Sequence, residues 1–319
     1  RDTFGRRDGQ GVYFTGYAGL HFGRFYDNTE HRDWGVTAYQ CPKLETITLG
    51  DNVVTVGDYA FDAREDLSSL TSVTLGAGVT DIGASAFAGA SNLVSLTIPD
   101  SVVRIGANAF QGATRLTSLT LGAGLLEIGS TVFNGATSLT SVTLPDSLTT
   151  IGSNAFSGAT NLVSINLPDS VTSIASRAFQ DTGLTSITIP DAVVSIGNYA
   201  FQRASLTSLT LGSGVTTIGD FAFWQTDITS LTIPDSVTTI GRQAFGDTPL
   251  KTLVIGNGLS NVGGEAFLNA CQTLESVAID SAGALGRTGS SYRDTFGRRD
   301  GQGVYFTGYA GLHFGRFYD

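Results

Sequence analysis

The apolar and polar positions of this chain recur at a fixed interval. Leu93 to Arg115 reads LVSLTIPDSVVRIGANAFQGATR, and Leu116 to Ser138 reads LTSLTLGAGLLEIGSTVFNGATS. Leu139 to Asn161 reads LTSVTLPDSLTTIGSNAFSGATN, so three 23-residue units share one apolar pattern. A period of this length predicts a solenoid. The first apolar position recurs at Leu44, Leu70, Leu93, Leu116, Leu139, Leu162, Leu184, Leu206, Ile228, Leu250 and Leu274. The spacings are 26, 23, 23, 23, 23, 22, 22, 22, 22 and 24 residues, which predicts ten to eleven rungs. The irregular spacings fall at the ends, where capping units depart from the consensus.

Each unit breaks into four parts. In LTSLTL, Leu116, Leu119 and Leu121 face one way and Thr117, Ser118 and Thr120 the other, which predicts a strand. A corner follows in two spellings. Five units use Pro-Asp, at Pro99, Pro145, Pro168, Pro190 and Pro234, and five use Gly, at Gly50, Gly76, Gly122, Gly212 and Gly256. Pro fixes φ and Gly permits unusual φ, so both are turn chemistry. A second apolar pair such as Val102 and Ile105 comes next, and then an Ala-Phe step in most units. The Phe is the most regular feature: Phe61, Phe87, Phe110, Phe133, Phe156, Phe179, Phe201, Phe223, Phe245 and Phe267. Equivalent residues of a solenoid stack along its axis, so these ten predict a buried aromatic spine. A ligand-binding aromatic stripe is the weaker reading, because Ala and apolar residues flank each Phe.

The pattern LxxLTIPxSVTxIGxxAFxxCxxL resembles the BspA-like, Treponema-type leucine-rich repeat family over residues 44–280. The resemblance implies a right-handed leucine-rich-repeat coil with a parallel β-sheet on one face. It also implies a surface protein of a bacterium or protist, often an adhesin, with no enzymatic activity in its repeats. One departure stands out. Where the family often has Cys, this chain has Ala90, Ala113, Ala136 and Ala159, with Cys only at Cys41 and Cys271. These two lie ten rungs apart, about 48 Å and far beyond disulfide reach.

Composition narrows the function. The 319 residues carry a net charge of −10, with 41% hydrophobic residues, no Met, and Lys only at Lys43 and Lys251. Residues 44–280 hold 7 basic and 20 acidic residues, and the remaining ends hold 11 basic and 8 acidic. An acidic body argues against nucleic acid, which needs a basic footprint. Opposite signs on body and ends favour an end meeting another body. No apolar run approaches the length of a membrane span. The chain begins with Arg, which reads as a fragment or processed product, so a missing signal peptide carries no information.

The two ends are the same sequence. Residues 1–27 read RDTFGRRDGQGVYFTGYAGLHFGRFYD, and residues 293–319 repeat them without a change. The internal units have diverged widely, so the identical ends predict 292-residue tandem modules rather than a recent local duplication. The segment is rich in aromatic and Arg residues, the composition of protein interfaces. The expected assembly residues are Phe4, Arg6, Arg7, Tyr13, Phe14, Tyr17, Phe22, Arg24, Phe25 and Tyr26. Their copies are Phe296, Arg298, Arg299, Tyr305, Phe306, Tyr309, Phe314, Arg316, Phe317 and Tyr318. Asp8-Gly9 is a turn signal that predicts a hairpin between Thr3–Arg7 and Gly11–Thr15. The expected organisation is a connector and cap with a degenerate half repeat at 1–43, the solenoid at 44–280, a Gly/Ser-rich joint at 281–292, and the start of a following module at 293–319.

Other candidate sites are weaker. Asp146, Asp169 and Asp191 follow turn prolines in three successive rungs, and stacked carboxylates attract cations. The preferred reading is that each bonds local backbone in its own turn, since no calcium-loop motif is present. Thr117, Thr140, Thr185, Thr207 and Thr229 form an outward row that invites an ice-binding reading, but ordinary β-propensity explains it. His21, His31 and His313 have no metal spacing or nucleophile beside them, and no catalytic motif occurs. No enzyme and no cofactor are expected. The leading expectation is a structural protein whose modules join head to tail into an extracellular or cell-surface filament, with other copies of itself as partners. An adhesin whose solenoid face grips a surface protein is the alternative. Eleven rungs plus the connector predict an axial repeat of about 50–70 Å.

Overall fold

The computed structural model describes residues 7–8, 11–14, 20–22, 45–62 and 69–279. The chain divides into two compact units, Arg1–Pro168 and Asp169–Asp319. Both are parallel β-coils, and the one helical element among the described residues is a 3-10 turn at Ala270–Gln272. The joint at 281–292, the half repeat with Cys41 and the second copy at 293–319 lie outside the described residues, as do the side chains of the first copy.

The first unit opens with β1 (Arg7–Asp8), β2 (Gly11–Phe14), β3 (Leu20–Phe22), β4 (Thr46–Leu49) and β5 (Val53–Val56). Beyond β4, the strands Ser72–Thr74, Ser95–Thr97 and Ser118–Thr120 continue one parallel ladder in register, placing Ile47 beside Val73, Val73 beside Leu96 and Leu96 beside Leu119. The strands are shorter than the six-residue LTSLTL pattern suggested. Only the centre of each segment runs straight, since Leu116 is already bent inward and fully buried.

The second apolar pair also forms strands, so each rung has two sheets where one was expected. In the first unit β5 is followed by Asp81–Ile82, Arg104–Ile105, Glu127–Ile128 and Thr150–Ile151. In the second unit the same position runs Ser173–Ile174, Ser195–Ile196, Thr217–Ile218, Thr239–Ile240 and Asn261–Val262. Each of those after β5 is one polar residue followed by a β-branched Ile or Val, a strand of minimal length. Its sheet pattern was masked in the sequence because only one of its two residues is apolar.

The third side of the coil has no strand, yet it is bonded rung to rung. The residue before Ala-Phe takes a left-handed conformation in every unit, with φ between 48° and 64° at Tyr59, Ser85, Asn108, Thr131, Asn154, Arg177, Tyr199, Phe221, Gln243 and Glu265. This conformation is costly for bulky side chains. Here it turns alternate amides along the coil axis. Asn108 N–H donates to the Ser130 carbonyl at 2.8 Å, and Tyr199 N–H to the Asp220 carbonyl at 2.8 Å. The Phe two residues later does the same, Phe87 N–H to Ala109 at 2.8 Å. The backbone donors that lack a sheet are thus satisfied by the next turn.

Inside this cage lie the phenylalanines. All ten are at most 1% exposed. In the first unit, Phe61, Phe87, Phe110, Phe133 and Phe156 stack at centroid separations of 5.3, 5.2, 5.9 and 5.4 Å. In the second, Phe179, Phe201, Phe223, Phe245 and Phe267 stack at 5.2, 5.2, 5.2 and 5.5 Å. Near-parallel rings this far apart are offset, the favoured arrangement. The turns of 23 and 22 residues differ after the Phe, where a second left-handed position is Gly in the longer turns and Asp181, Arg203, Gln225 or Asp247 in the shorter ones. In the longer turns Gly89, Gly112, Gly135 and Gly158 take positive φ before a buried Ala. In shorter turns buried Thr182, Thr226 and Thr248 fill that slot and donate their hydroxyls to the carbonyls of Phe179, Phe223 and Phe245 at 2.8–2.9 Å.

The corners are where the two spellings acquire a reason. Both make one turn: Val102 N–H donates to Pro99 O at 3.1 Å and Leu125 N–H to Gly122 O at 3.2 Å. The corner glycines are not there for unusual φ, as the sequence reading supposed. A Cβ on Gly122 or Gly124 would overlap the Pro99 or Asp100 carbonyl oxygen of the preceding rung, and one on Gly212 or Gly214 those of Pro190 and Asp191. The residue between the glycines offers its amide to the Asp of the rung before. Asp51 accepts from Ala77 at 2.8 Å, Asp100 from Ala123 at 2.7 Å, Asp191 from Ser213 at 2.6 Å and Asp235 from Asn257 at 2.7 Å. The carboxylates therefore reach across to the next rung rather than bonding within their own turns.

Three measurements test this account. Phe133→Ala should lower the unfolding free energy by roughly 3–5 kcal/mol in urea titration, the cost of a large cavity in a ring stack. Gly122→Ala should cost about 1–3 kcal/mol, because the obstruction is backbone and cannot swing away. Asp191 is held below the usual carboxylate range by the Ser213 amide first and its hydroxyl second. A depressed pKa contributes stability above the ordinary value and loses it as pH falls through the folded one. Asp191→Asn keeps an acceptor that does not titrate. Its thermal midpoint should fall below that of the parent at neutral pH, and the gap should narrow as the pH falls below the ordinary aspartate value of 3.8.

Candidate functional site

A coil of parallel strands leaves two ladders open at each end. At the start of the first unit, β2 pairs parallel with β4, Val12 beside Ile47 and Phe14 beside Leu49. β3 pairs parallel with β5, Leu20 beside Val53 and Phe22 beside Val56, with a register shift between Leu20 and His21. β1 folds back antiparallel on β2, with Arg7 opposite Val12 and Asp8 opposite Gly11. The backbone of the duplicated segment thus adds a strand to each ladder at that edge. In the second unit, the outermost described strands are Asn261–Val262 and Ser276–Ile279. Among the described residues nothing pairs beyond either of them.

The side faces differ between units. In the second unit, Arg177, Tyr199 and Phe221 occupy the left-handed position in successive turns. The Arg177 guanidinium lies 4.5 Å from the Tyr199 ring centroid. Tyr199 and Phe221 stack at 5.1 Å with planes 1° apart. Arg242 covers the other side of Phe221 at 5.8 Å, and Trp224 meets that ring edge-on at 6.3 Å. Trp224 occupies space that a Cβ on Gly246 would contest. Its indole N–H is buried without a partner among the described residues. Arg203 sits beside this row but is committed to Asp181 through two bonds, of 2.6 and 2.8 Å. That contact raises the guanidinium pKa, chiefly by hydrogen bonding. The first unit has Tyr59, Ser85, Asn108, Thr131 and Asn154 at the same position, and no such cluster among its described residues.

This cluster escaped the sequence reading. Its signal is the run Arg177, Tyr199 and Phe221 two residues before the Phe, where the four preceding units have Ser, Asn or Thr. The outward Thr row does other work. Thr117 and Thr207 donate hydroxyls to the Val94 and Thr185 carbonyls of the preceding rung, at 3.2 and 3.1 Å. Of the candidate carboxylates, Asp146 belongs to the first unit and Asp169 and Asp191 to the second, all exposed. Asp191 is spent on the Ser213 amide. Among the described residues no three His, Cys, Asp or Glu gather into a metal-binding group.

The repeat pattern has known counterparts. A model of the BspA type leucine rich repeat region, in six copies, matches residues 36–134, 65–184 and 172–287. No curated protein matches the chain. Among solved structures, a leucine-rich repeat protein from Bacteroides ovatus ATCC 8483 is 27% identical, with 88% of this chain and 70% of that one covered and a TM-score of 0.63. A leucine rich cell surface protein from Faecalibacterium prausnitzii A2-165 is 25% identical, covering 86% and 74% at a TM-score of 0.52. The pneumococcal vaccine antigen PcpA shares the fold at 24% identity, 81% and 65% coverage and a TM-score of 0.53. No helix among the described residues is long and apolar enough to cross a membrane. With repeat matches running from residue 36 to residue 287, the chain belongs to the BspA-type leucine-rich repeat family.

Proposed function

We propose that this protein is a structural, non-enzymatic module of an extracellular or cell-surface filament, built head to tail from 292-residue units. One observation carries the reading. The segment whose backbone extends both ladders at the first rung recurs, residue for residue, beyond the last described strand. Open parallel edges recruit other strands unless covered. The second copy would cover the first rung of a following module as the first copy covers its own. Its aromatic residues would supply burial, and its arginines would be drawn to the acidic body. A heterologous contact repeated without closure makes a fibre. An adhesin role for the coil faces is the second reading. It is supported by family membership and by the surface location stated for the Faecalibacterium relative.

Negative-stain microscopy tests the first reading. The full chain should form filaments, and a chain lacking residues 293–319 should remain as short single particles. Full chains that stay dispersed at high concentration would return the protein to a stand-alone adhesin.

A further inference from the structure

The arginine–aromatic face of the second unit has a match on the same unit. Arg177 and Arg242 are each held against a ring, and neither forms an ion pair among the described residues. Asp220, the residue before Phe221, accepts the backbone amide of Arg242. Stacking fixes a guanidinium in place while leaving its in-plane donors available. Between the two arginines stand the edges of Tyr199, Phe221 and Trp224, all partly exposed. Aromatic and Arg side chains together are the residues that dominate protein interfaces.

The spacing of the two charges is set by the coil. Arg177 belongs to the turn of Phe179 and Arg242 to that of Phe245, three turns later. At 5.2 Å per turn, that is about 16 Å along the axis. On the corner side of the same turns stand Asp169 and Asp235, exposed and also three turns apart. Asp235 gives one oxygen to the Asn257 amide and keeps the other. The turn that would place an Asp between Asp191 and Asp235 carries Gly212 and Ser213 instead, so the row reads Asp169, Asp191, Ser213, Asp235.

The geometry points to a side-by-side contact between two copies of this chain, in which the Arg177–Arg242 face of one docks on the Asp169–Asp235 corner of the other. Both partners inherit one axial repeat, so two guanidinium–carboxylate pairs form together with no change in register. Between the two aspartates the corner row presents Asp191, whose carboxylate is already bonded to the Ser213 amide, and then the small Gly-Ser-Gly corner, which leaves room for an aromatic edge. The contact uses neither copy of the duplicated segment. It is therefore independent of head-to-tail joining and would set filaments beside one another.

Charge reversal on the full chain is the test. Sedimentation velocity should show the parent self-associating, less so as salt rises. Arg177→Glu with Arg242→Glu should weaken that association at least about tenfold, as should Asp169→Arg with Asp235→Arg. An equimolar mixture of the two reversed proteins should restore it, since each supplies the face the other lacks. Reversed variants that associate like the parent, or a mixture that stays apart, would overturn the proposal. So would a parent that does not self-associate but is retained on immobilised heparin, which would assign the face to a sulfated glycan. Filament length in micrographs reports the end contact and filament pairing reports this one, so either can fail alone.

Discussion

Within each coil unit the Phe rings of successive turns stand about 5 Å from their counterparts, and the strands pair in register in the same way. That constraint, the parallel in-register repeat, governs the rest. A side chain is tolerated only if it can stand beside a copy of itself or beside a residue chosen to complement it. Phe meets the condition by offset stacking, since the ring is thinner than the rung spacing and slides to fill it. Ile and Leu meet it by simple contact. Carboxylates meet it less easily, because like charges repel at that distance; four of the corner aspartates, Asp51, Asp100, Asp191 and Asp235, are followed by a glycine corner whose amide they accept, while Asp146, Asp169 and Asp191 stand exposed on successive rungs. Hydrogen bonds obey the same rule: two sheets and a left-handed segment send their donors along the axis, so backbone need is met on all sides.

The sequence made some of this plain and hid the rest for a physical reason. The period, the Phe positions and the corner all mark residues whose environment comes from the repeat itself. Phe110 could be placed because it is the same in every unit. The second ladder was obscured because Thr150–Ile151 offers one apolar residue and no alternation. The left-handed positions were obscured because Asn108, Thr131 and Tyr199 share a conformation but no chemistry. The partner of Asp191 was missed because it sits 22 residues on, while turn residues are ordinarily read against their near neighbours. Of the candidate surfaces, the duplicated segment is visible by inspection alone. The arginine–aromatic face is not, since Arg177, Tyr199, Phe221 and Arg242 come together only when turns are stacked.

The two coil units also divide the labour of their third side. In the first unit it carries small and polar residues with positive-φ glycines and presents little for a partner to grip. In the second it carries three of that unit's cations and its stacked rings. Faces of this kind are the usual means by which a repetitive scaffold acquires specificity, because the scaffold fixes the positions and only the decoration varies. Here the decoration concentrates charge of one sign against a body of the other. A change at Arg177 or Phe221 leaves the buried Phe179 and Phe223 untouched, so recognition can drift without touching the core.

The glycine corner restricts how such a protein can grow. Gly-Ala-Gly at 122–124 sits directly on the Asp100 corner and draws its hydrogen bond from it. Among the described corners Gly-x-Gly never follows Gly-x-Gly; each one comes after a corner bearing Asp. Pro-Asp, by contrast, follows either kind, and does so in an unbroken run at Pro145, Pro168 and Pro190. Rungs are consequently not interchangeable parts. Removing the rung of Pro99 would set one glycine corner on another, leaving an amide without its acceptor, whereas removing the rung of Pro168 would leave every corner with a compatible predecessor. Recombination within the gene, or a designer lengthening the coil, is confined to the same grammar: a glycine rung must travel with the aspartate rung beneath it.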